Sequence, residues 1–315
     1  MENALFYIIG IDKKIGEKIV AVYELTNDVI AIMVDSHGAE LKSLKKLSTG
    51  TEYMWCADAK YWGRTSPVLF PFVGSVNDKE YRTKGKTYSM NQHGFARDME
   101  FAFIGESKSE EGLPELWFEL KSNEETLQKY PYEFVLKLGY RLDENKVVVL
   151  WQVENPAMEE LPFSIGGHPA FNCPIDEGMK QCDYYLDFGD IDEVVSSRIG
   201  EKGLVNGCMD VYGLNDGKLA ITENLFDHDA LVIEENQTHY VALCKKDGTP
   251  YLEIHMEAPL FGVWSPPGKQ APFVCLEPWY GRCDSEYFDG ELAEREWGNL
   301  LAGGKVWKAS YIIEV

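Results

Sequence analysis

Short segments in which apolar and polar residues alternate, separated by turn-forming residues, recur along most of this 315-residue chain. Residues 29–36 (VIAIMVDS) and 99–106 (MEFAFIGE) are rich in β-branched or aromatic side chains, which is typical of strands. Residues 132–155 are predicted to form a hairpin that turns at positions 143–145. Residues 239–256 are predicted to form a second hairpin, because Asp247-Gly248 suits a tight primed turn.

The rest of the pattern adds more strands and little helix. Further strands are predicted at residues 230–234, 261–265, 272–277 and 306–315, and helices only at 123–129 and 290–300. Many short strands with turns about every 8–12 residues predict an all-β fold, a large antiparallel sandwich. The 28 glycines and 14 prolines are close to the average usage of roughly 12%. With no repeat or linker visible, residues 1–315 are predicted to form a single domain.

The charge and the cysteines narrow the classes of partner and compartment. The formal net charge is -22, so phosphate backbones and anionic lipid headgroups are repelled, and we expect neither nucleic acid nor membrane partners. Seven cysteines without a CxxC pair indicate free thiols in a reducing compartment. The apolar run at the N-terminus is cut short by Asp12 and fits neither a signal peptide nor a membrane span. The cytoplasm is the expected location.

Three segments break the strand rhythm and concentrate polar residues among glycines, prolines and aromatics. They are residues 63–74 (GRTSPVLFPFVG) together with 91–98 (NQHGFARD), residues 166–174 (GGHPAFNCP) and residues 275–284 (CLEPWYGRCD). Polar side chains placed at such breaks are candidates for a functional site.

His168 is the first candidate. Pro169 restricts it to an extended or turn conformation, and Gly166-Gly167 lets the backbone bend just before it, which would aim the imidazole away from the sheet. Histidine titrates near neutral pH and serves as an acid or a base. The alternative is a histidine that satisfies backbone groups in a turn.

Glu277 is the second candidate. It follows an apolar strand and precedes Pro278, so we expect it where the strand opens into a loop. Partial burial beside Trp279 would raise its pKa towards the range of a general base. The alternative is a surface ion pair with Arg282.

The segment HGFARD supplies His93 and Arg97, and Arg64 lies about thirty residues earlier. Arginine offers a planar fork of donors to sugar hydroxyls or to phosphate. Four aromatic residues are candidates for apolar faces against a pyranose ring: Trp62, Phe95, Trp264 and Trp279. The alternatives are that these aromatics pack a sandwich core and that Arg97 and Asp98 form a structural pair.

Taken together and in order, these segments closely resemble the aldose 1-epimerase (galactose mutarotase) family. The likeness is best to its bacterial branch, which includes proteins associated with lactose operons and sugar-6-phosphate 1-epimerases. The matching strings are GAELKSL, EYMWCADAKYWGRTSPVLFPFVG, HGFARD, IGGHPAFNCP, FGVWSPPG and CLEPWYGRCD, which span nearly the whole chain. The well-studied mutarotases have no HGFARD string. The family resemblance therefore predicts the acid–base pair of this chain better than it predicts which sugar the chain prefers.

The resemblance implies a β-supersandwich whose open cleft binds a monosaccharide or sugar phosphate without a metal or an organic cofactor. It implies that His168 is the general acid and Glu277 the general base, and that Arg64 and His93 bind the substrate. It also places an aspartate on the sugar, for which Asp229 is the better match and Asp227 the alternative. We add Arg97, Trp264 and Trp279 to the predicted substrate-binding residues.

One acid and one base suffice for anomer exchange, because ring opening removes a proton from O1 and delivers one to O5. We expect them on opposite sides of the anomeric centre, each contributing roughly 10²–10⁴ in rate. One alternative is glycoside hydrolysis, which needs two carboxylates, here Glu277 with Asp229 or Asp284. The other is a sugar-binding or sensing protein without activity.

Overall fold

The fold was analysed in a computed structural model that describes residues 11–15 and 18–315. Most of the N-terminal segment, on which the expectation of no leader rests, lies outside these residues. Among the described helices, none is long and apolar enough to cross a membrane. The single-domain assignment of residues 1–315 stays a prediction.

The described residues form 25 strands and one α-helix. The first strands are β1 (Ile11–Ile15), β2 (Lys18–Thr26), β3 (Ile30–Asp35), β4 (Glu40–Lys46), β5 (Val68–Leu69), β6 (Glu80–Thr83), β7 (Lys86–Ser89), β8 (Ala102–Lys108), β9 (Pro114–Lys121), β10 (Val135–Asp143), β11 (Lys146–Glu154), β12 (Leu161–Phe163) and β13 (Ile165–Gly167). They are followed by β14 (Ala170–Asn172), β15 (Tyr185–Asp187), β16 (Glu193–Ile199), β17 (Val205–Gly213), β18 (Lys218–Ala220), β19 (Leu231–Ile233), β20 (Tyr240–Cys244), β21 (Pro250–Met256), β22 (Leu260–Trp264), β23 (Phe273–Tyr280), β24 (Asn299–Leu301) and β25 (Val306–Glu314). The helix α1 is Glu124–Lys129, and 3₁₀ turns lie at Asn77–Lys79, Ala96–Asp98, Gln181–Asp183 and Leu292–Glu294.

Two large antiparallel sheets form the body of the fold. One has nine strands in the order β18-β15-β20-β21-β25-β11-β10-β9-β8, and the other has the path β17-β16-β19-β22-β23-β13-β5, with β14 also paired to β23. Their inner faces meet in one apolar core, where Trp151 of β11 lies 6.2 Å from Tyr280 of β23 between ring centroids. The predicted all-β antiparallel sandwich is therefore confirmed.

Several element predictions are confirmed. The hairpin at 132–155 is β10 and β11, which turn at Asp143↔Lys146, and the alternating burial of β11 matches its alternating sequence. The helix at 123–129 is α1, whose start is fixed by a capping box between Asn123 and Thr126. The strands predicted at 29–36, 230–234, 261–265 and 306–315 are β3, β19, β22 and β25.

Other predictions are wrong in detail. The second hairpin, β20 and β21, is joined by five residues rather than by a tight primed turn, because the Asp247 carboxylate accepts from the Thr249 N–H and Lys245 N–H bonds to the Thr249 carbonyl. The strand predicted at 99–106 begins only at Ala102, after a 3₁₀ turn. The helix predicted at 290–300 is reduced to a single 3₁₀ turn, because the backbone is extended at Arg295, has a φ of 62° at Trp297 and pairs with β12 from Asn299 onward.

Candidate active site

The eight-stranded sheet is interrupted beside β23, and the candidate catalytic residues lie at this break. On one edge β23 pairs with β22 along its length, and on the other it pairs first with β14 and then with β13. The two residues between β13 and β14 are His168 and Pro169. A gap in the ladder therefore lies beside the centre of β23.

Glu277 lies within β23, opposite Gly262 of β22, and not at a strand end. The expectation that Pro278 ends the strand was wrong. Leu276 donates its N–H to the Pro169 carbonyl, so Pro278, two residues on, faces the same edge, where the partner strand is interrupted. Its missing N–H therefore breaks no ladder bond. Glu277 is held by pairing with β22 on one edge of β23 and is only 1% exposed.

His168 bends out of the sheet as its glycines and proline predict, and its ring is boxed in by other rings. Trp62 stacks on it at 4.7 Å between centroids, while Trp264 and His93 present edges at 5.6 Å each. Among the described residues the Nδ1 atom has no hydrogen-bond partner, which argues against a histidine that satisfies turn backbone. Its Nε2 atom lies 3.3 Å from Oε2 of Glu277. The two candidate catalytic side chains are therefore in direct contact.

Burial pushes the pKa values of the pair in opposite directions. Burial, reinforced by the charge of Asp229, holds the pKa of Glu277 well above its usual 4.5. Burial and the charge of Arg97 lower the pKa of His168 to about 3. Both shifts disfavour the charged form, so burial favours a carboxylic acid beside a neutral imidazole, with one titratable proton between them. A carboxylate beside an imidazolium has the same proton count.

The alternative pairing of Glu277 with Arg282 is wrong. The Arg282 guanidinium donates to the carboxylates of Glu234 and Glu296 instead. No lysine or arginine of the described residues pairs with Glu277, which agrees with its raised pKa.

A cavity of about 330 Å³ opens onto this pair, and all eight predicted site residues line it. They are Arg64, His93, Arg97, His168, Asp229, Trp264, Glu277 and Trp279. The volume lies in the range of small-molecule sites, roughly 300–1,000 Å³. Segments far apart in sequence thus converge on one pocket of sugar size.

His93 is fixed by its own turn. Its backbone has a φ of 67°, its N–H donates to the Gly74 carbonyl, and its Nδ1 accepts from the Gly74 N–H at 3.1 Å. Burial and the neighbouring His168 hold its pKa well below 6.5, so it is neutral with the proton on Nε2. This leaves one N–H donor for a ligand.

Arg64 and Arg97 bring two guanidinium groups to the cavity. Arg64 Nη2 lies 2.6 Å from Asp98, whereas Arg97 Nε is 4.0 Å from the same carboxylate and has no hydrogen-bond partner within the described part of the chain. Asp98 thus pairs with both guanidinium groups, more closely with Arg64, and the alternative of a structural Arg97–Asp98 pair is kept at the longer distance. Burial and the charge of Arg64 lower the pKa of Arg97 to about 10, so it stays charged at neutral pH.

Asp229, rather than Asp227, reaches the cavity, since Asp227 lines only a neighbouring groove. Asp229 has a φ of 70°, and the backbone N–H of Ala230 and the side chain of Trp264 both bond to its carboxylate. Burial nevertheless raises its pKa. The structure therefore favours Asp229 of the two alternatives.

The Trp279 indole, which forms part of the cavity wall, packs where two glycines leave room. A Cβ atom on Gly262 would lie 2.4 Å from the ring, and one on Gly166 would lie 2.6 Å from it. These glycines are needed because the sheet and the indole approach this closely. Of the other aromatic candidates, Phe95 packs in the core, which was the alternative to a role against the sugar ring.

We expect Gly262→Ala to destabilise the protein by about 1–3 kcal/mol and to lower any sugar-dependent activity, because the added methyl group displaces Trp279 towards the cavity. Urea unfolding measures the first effect. Gly213→Ala is the matched control, because nothing lies within 4 Å of its added Cβ. Equal stability of the two variants would contradict the packing described here.

Sequence reasoning missed part of the cavity lining. Gln92 and Cys283 line the cavity but were not predicted as site residues, although they lie in the motifs NQHGFARD and CLEPWYGRCD. Ile199 and Gly203 come from the β16–β17 hairpin and carry no local signal, because only the sheet order brings them to the cavity.

Comparison with known proteins agrees with this geometry. The profile of the family described as aldose 1-epimerase matches residues 21–314. The chain is 34% identical over 270 residues to the chromosomal protein LacX of Lactococcus lactis, covering 82% of this chain and 87% of that one.

Two solved structures are also similar. A galactose mutarotase related enzyme from Lactobacillus acidophilus has a TM-score of 0.86 at 34% identity, covering 93% of this chain and 96% of its own. A galactose mutarotase-like protein from Lactobacillus casei has a TM-score of 0.85 at 29% identity, covering 93% and 99%. Because the family profile matches nearly the whole of this chain, the chain belongs to the aldose 1-epimerase family.

Proposed function

We propose that this protein is an aldose 1-epimerase that interconverts the α and β anomers of a hexose or a hexose 6-phosphate by acid–base ring opening and closure. The observation that carries the proposal is the 3.3 Å contact between His168 Nε2 and Glu277 Oε2 at the wall of a sugar-sized cavity. Two groups with opposite pKa shifts in one cleft are typical of an acid–base pair.

The contact changes the expected geometry. We expected the acid and the base on opposite sides of the anomeric centre, whereas the two side chains are neighbours. This arrangement suits the reaction, because O1 and O5 are bonded to the same carbon. The proton on O1 and a lone pair on O5 therefore lie close together. Glu277 takes the proton of O1 while His168 gives one to O5, and the ring opens. Rotation about C1–C2 and the reverse transfers close it on the other face.

The active forms are a carboxylate and an imidazolium, which contain the same proton as the resting neutral pair. Hydroxyl groups of a bound sugar supply hydrogen bonds to Oε2 of Glu277, which lacks a partner in the described structure. Hydrogen bonds to a charged form favour that form. Binding of the sugar therefore shifts the pair towards the reactive arrangement.

The remaining lining residues are proposed to hold the sugar. Arg64, Arg97 and the His93 N–H offer donors, and Asp229 offers an acceptor, so that several hydroxyl groups are paired when water is excluded. Trp264 and Trp279 offer apolar faces to the ring carbons.

Glycoside hydrolysis is less well supported. Asp284 does not line the cavity and is bonded to Arg295 at 2.6 Å, so it is not available as a second catalytic carboxylate. Asp229 lines the cavity with Glu277, but that pairing leaves the contact of His168 with Glu277 without a role.

The proposal predicts an unusual pH profile. The catalysed rate is expected to stay flat between the lowered pKa of His168, about 3, and the raised pKa of Glu277, a range in which the pair keeps one proton. The rate falls below that range when both groups are protonated, and above it when both have lost the proton. Exchange NMR with buffer rates subtracted measures this profile. A steady fall as pH rises through 6.5 would show a histidine acid of ordinary pKa and contradict the assignment.

Polarimetry on freshly dissolved α-glucose, α-galactose and their 6-phosphates tests the function and the substrate together. We expect at least one of these sugars to reach anomeric equilibrium faster in proportion to enzyme concentration. Binding of sugar with relaxation at the buffer rate would instead indicate a binding or sensing protein.

A further inference from the structure

A cysteine lies beside the candidate catalytic pair, and the proposed reaction does not use it. Cys275 is two residues before Glu277 on β23, so both side chains leave the same face of the sheet. The thiol is fully buried, and its Sγ lies within 4.8 Å of ligand atoms of both His168 and Glu277. Thiol, imidazole and carboxylate thus converge at one point.

One of the three side chains has a buried ligand atom without a partner. Among the described residues, Glu277 Oε2 forms no hydrogen bond, although Glu277 is only 1% exposed. Unpaired polar atoms at such depth are costly and point to a ligand that would satisfy them. The donor set indicates the ligand, because thiolate and imidazole select zinc-like ions over Mg²⁺ or Ca²⁺.

The spacing of His168 and Glu277 also suits such an ion, and Cys275 Sγ lies within 4.8 Å of both. Two nitrogen or oxygen ligands at about 2.0–2.1 Å from a tetrahedral zinc ion are separated by roughly 3.3 Å. The His168 Nε2–Glu277 Oε2 distance is 3.3 Å. Glu277 lies within β23, and His168 lies in the two-residue connection between β13 and β14. One thiolate and one carboxylate balance the two charges of the ion, which is how buried charges are tolerated.

We propose that His168, Cys275 and Glu277 form a zinc site with its fourth position open to the cavity, and that the bound ion inhibits sugar turnover. The ion occupies the same nitrogen and oxygen atoms that face O5 and O1 of the sugar. The inhibition rests on the proposed function, whereas the binding does not.

Cobalt(II) tests the binding without any activity measurement. Metal-free, reduced protein titrated with Co²⁺ is expected to develop a thiolate-to-cobalt charge-transfer absorption at one equivalent per chain, and Zn²⁺ is expected to abolish it. The absorption is expected to be lost in Cys275→Ser and kept in Cys182→Ser, whose thiol is exposed. Its persistence in Cys275→Ser, or its absence from the wild type, would overturn the site.

Zinc inhibition tests the consequence. Cys275→Ser is expected to keep the basal exchange rate, and its half-inhibition by Zn²⁺ should move by more than the roughly 10–100-fold that loss of an outer-shell partner causes. His255→Ala is the matched control, because it removes one side chain from a second group of potential metal ligands on the other sheet, Glu253, His255 and Glu314. Unchanged zinc sensitivity in Cys275→Ser would overturn the inference.

A replacement variant and a comparison of the two tests cover the remaining outcomes. If Cys275→Ser fails to fold, Cys275→Ala replaces it, since alanine leaves no buried hydroxyl unpaired. If the wild type exchanges no sugar but shows the Cys275-dependent cobalt absorption, the proposed function fails and the metal site stands.

Discussion

Replacing His168 by alanine is expected to lower the catalysed rate of anomer exchange by roughly 10²–10⁴, because the group that protonates O5 is lost. Glu277→Gln is expected to have an effect of similar size, because an amide cannot take the O1 proton. The two side chains touch and share one proton, so they act as a unit. The double variant should therefore be little worse than either single one.

The measurement is the exchange rate in excess of the buffer rate, at equal concentrations of folded protein. His239→Ala is the matched histidine control, because its ring bonds to the Met256 carbonyl and does not line the cavity. Asp227→Asn is the matched carboxylate control, since Asp227 lies in the neighbouring groove. Activity that survives in both His168→Ala and Glu277→Gln would reject the assigned roles.

Asp284→Asn is expected to destabilise the protein by about 3–5 kcal/mol without abolishing exchange by the molecules that remain folded. Asp284 and Arg295 form a buried ion pair whose side chains are 4% and 2% exposed. Asp284 also accepts from the Asn77 N–H, and Arg295 donates to the Arg282 carbonyl. The substitution leaves a buried guanidinium without its counter-charge, which is more costly than losing a surface pair.

Urea unfolding measures this loss. Asp78→Asn removes the exposed pair with Lys202 and should change the free energy of unfolding by less than about 1 kcal/mol. A similar small change in Asp284→Asn would show that the pair does not hold this region together. Loss of exchange in folded Asp284→Asn would revive Asp284 as a catalytic carboxylate.

Local pattern was enough for elements whose neighbours do not alter them. The hairpin of β10 and β11 follows from alternation and a turn, and α1 follows from its cap and Pro131. The helix predicted at 290–300 is wrong for a tertiary reason, because the end of this segment pairs as β24 with β12.

The candidate site shows the same division. The order of motifs shared with a family was enough to predict that eight residues would line one cavity. The local sequence around each residue left its role ambiguous. The position of Glu277 was predicted wrongly, because the gap opposite Pro278 is created by His168 and Pro169 more than 100 residues earlier. Contact between the acid and the base, and the approach of Cys275, depend on strand pairing that no local pattern contains.

The most direct test of the central claim is two-dimensional exchange NMR on an equilibrated hexose or hexose 6-phosphate, recorded with wild-type protein and with Glu277→Gln. Cross-peaks between the α and β anomeric protons report ring opening and closure. We predict cross-peaks that grow with wild-type concentration and fall to the buffer level with Glu277→Gln. Cross-peaks at the buffer level with wild-type protein that binds the same sugar would contradict the proposed function.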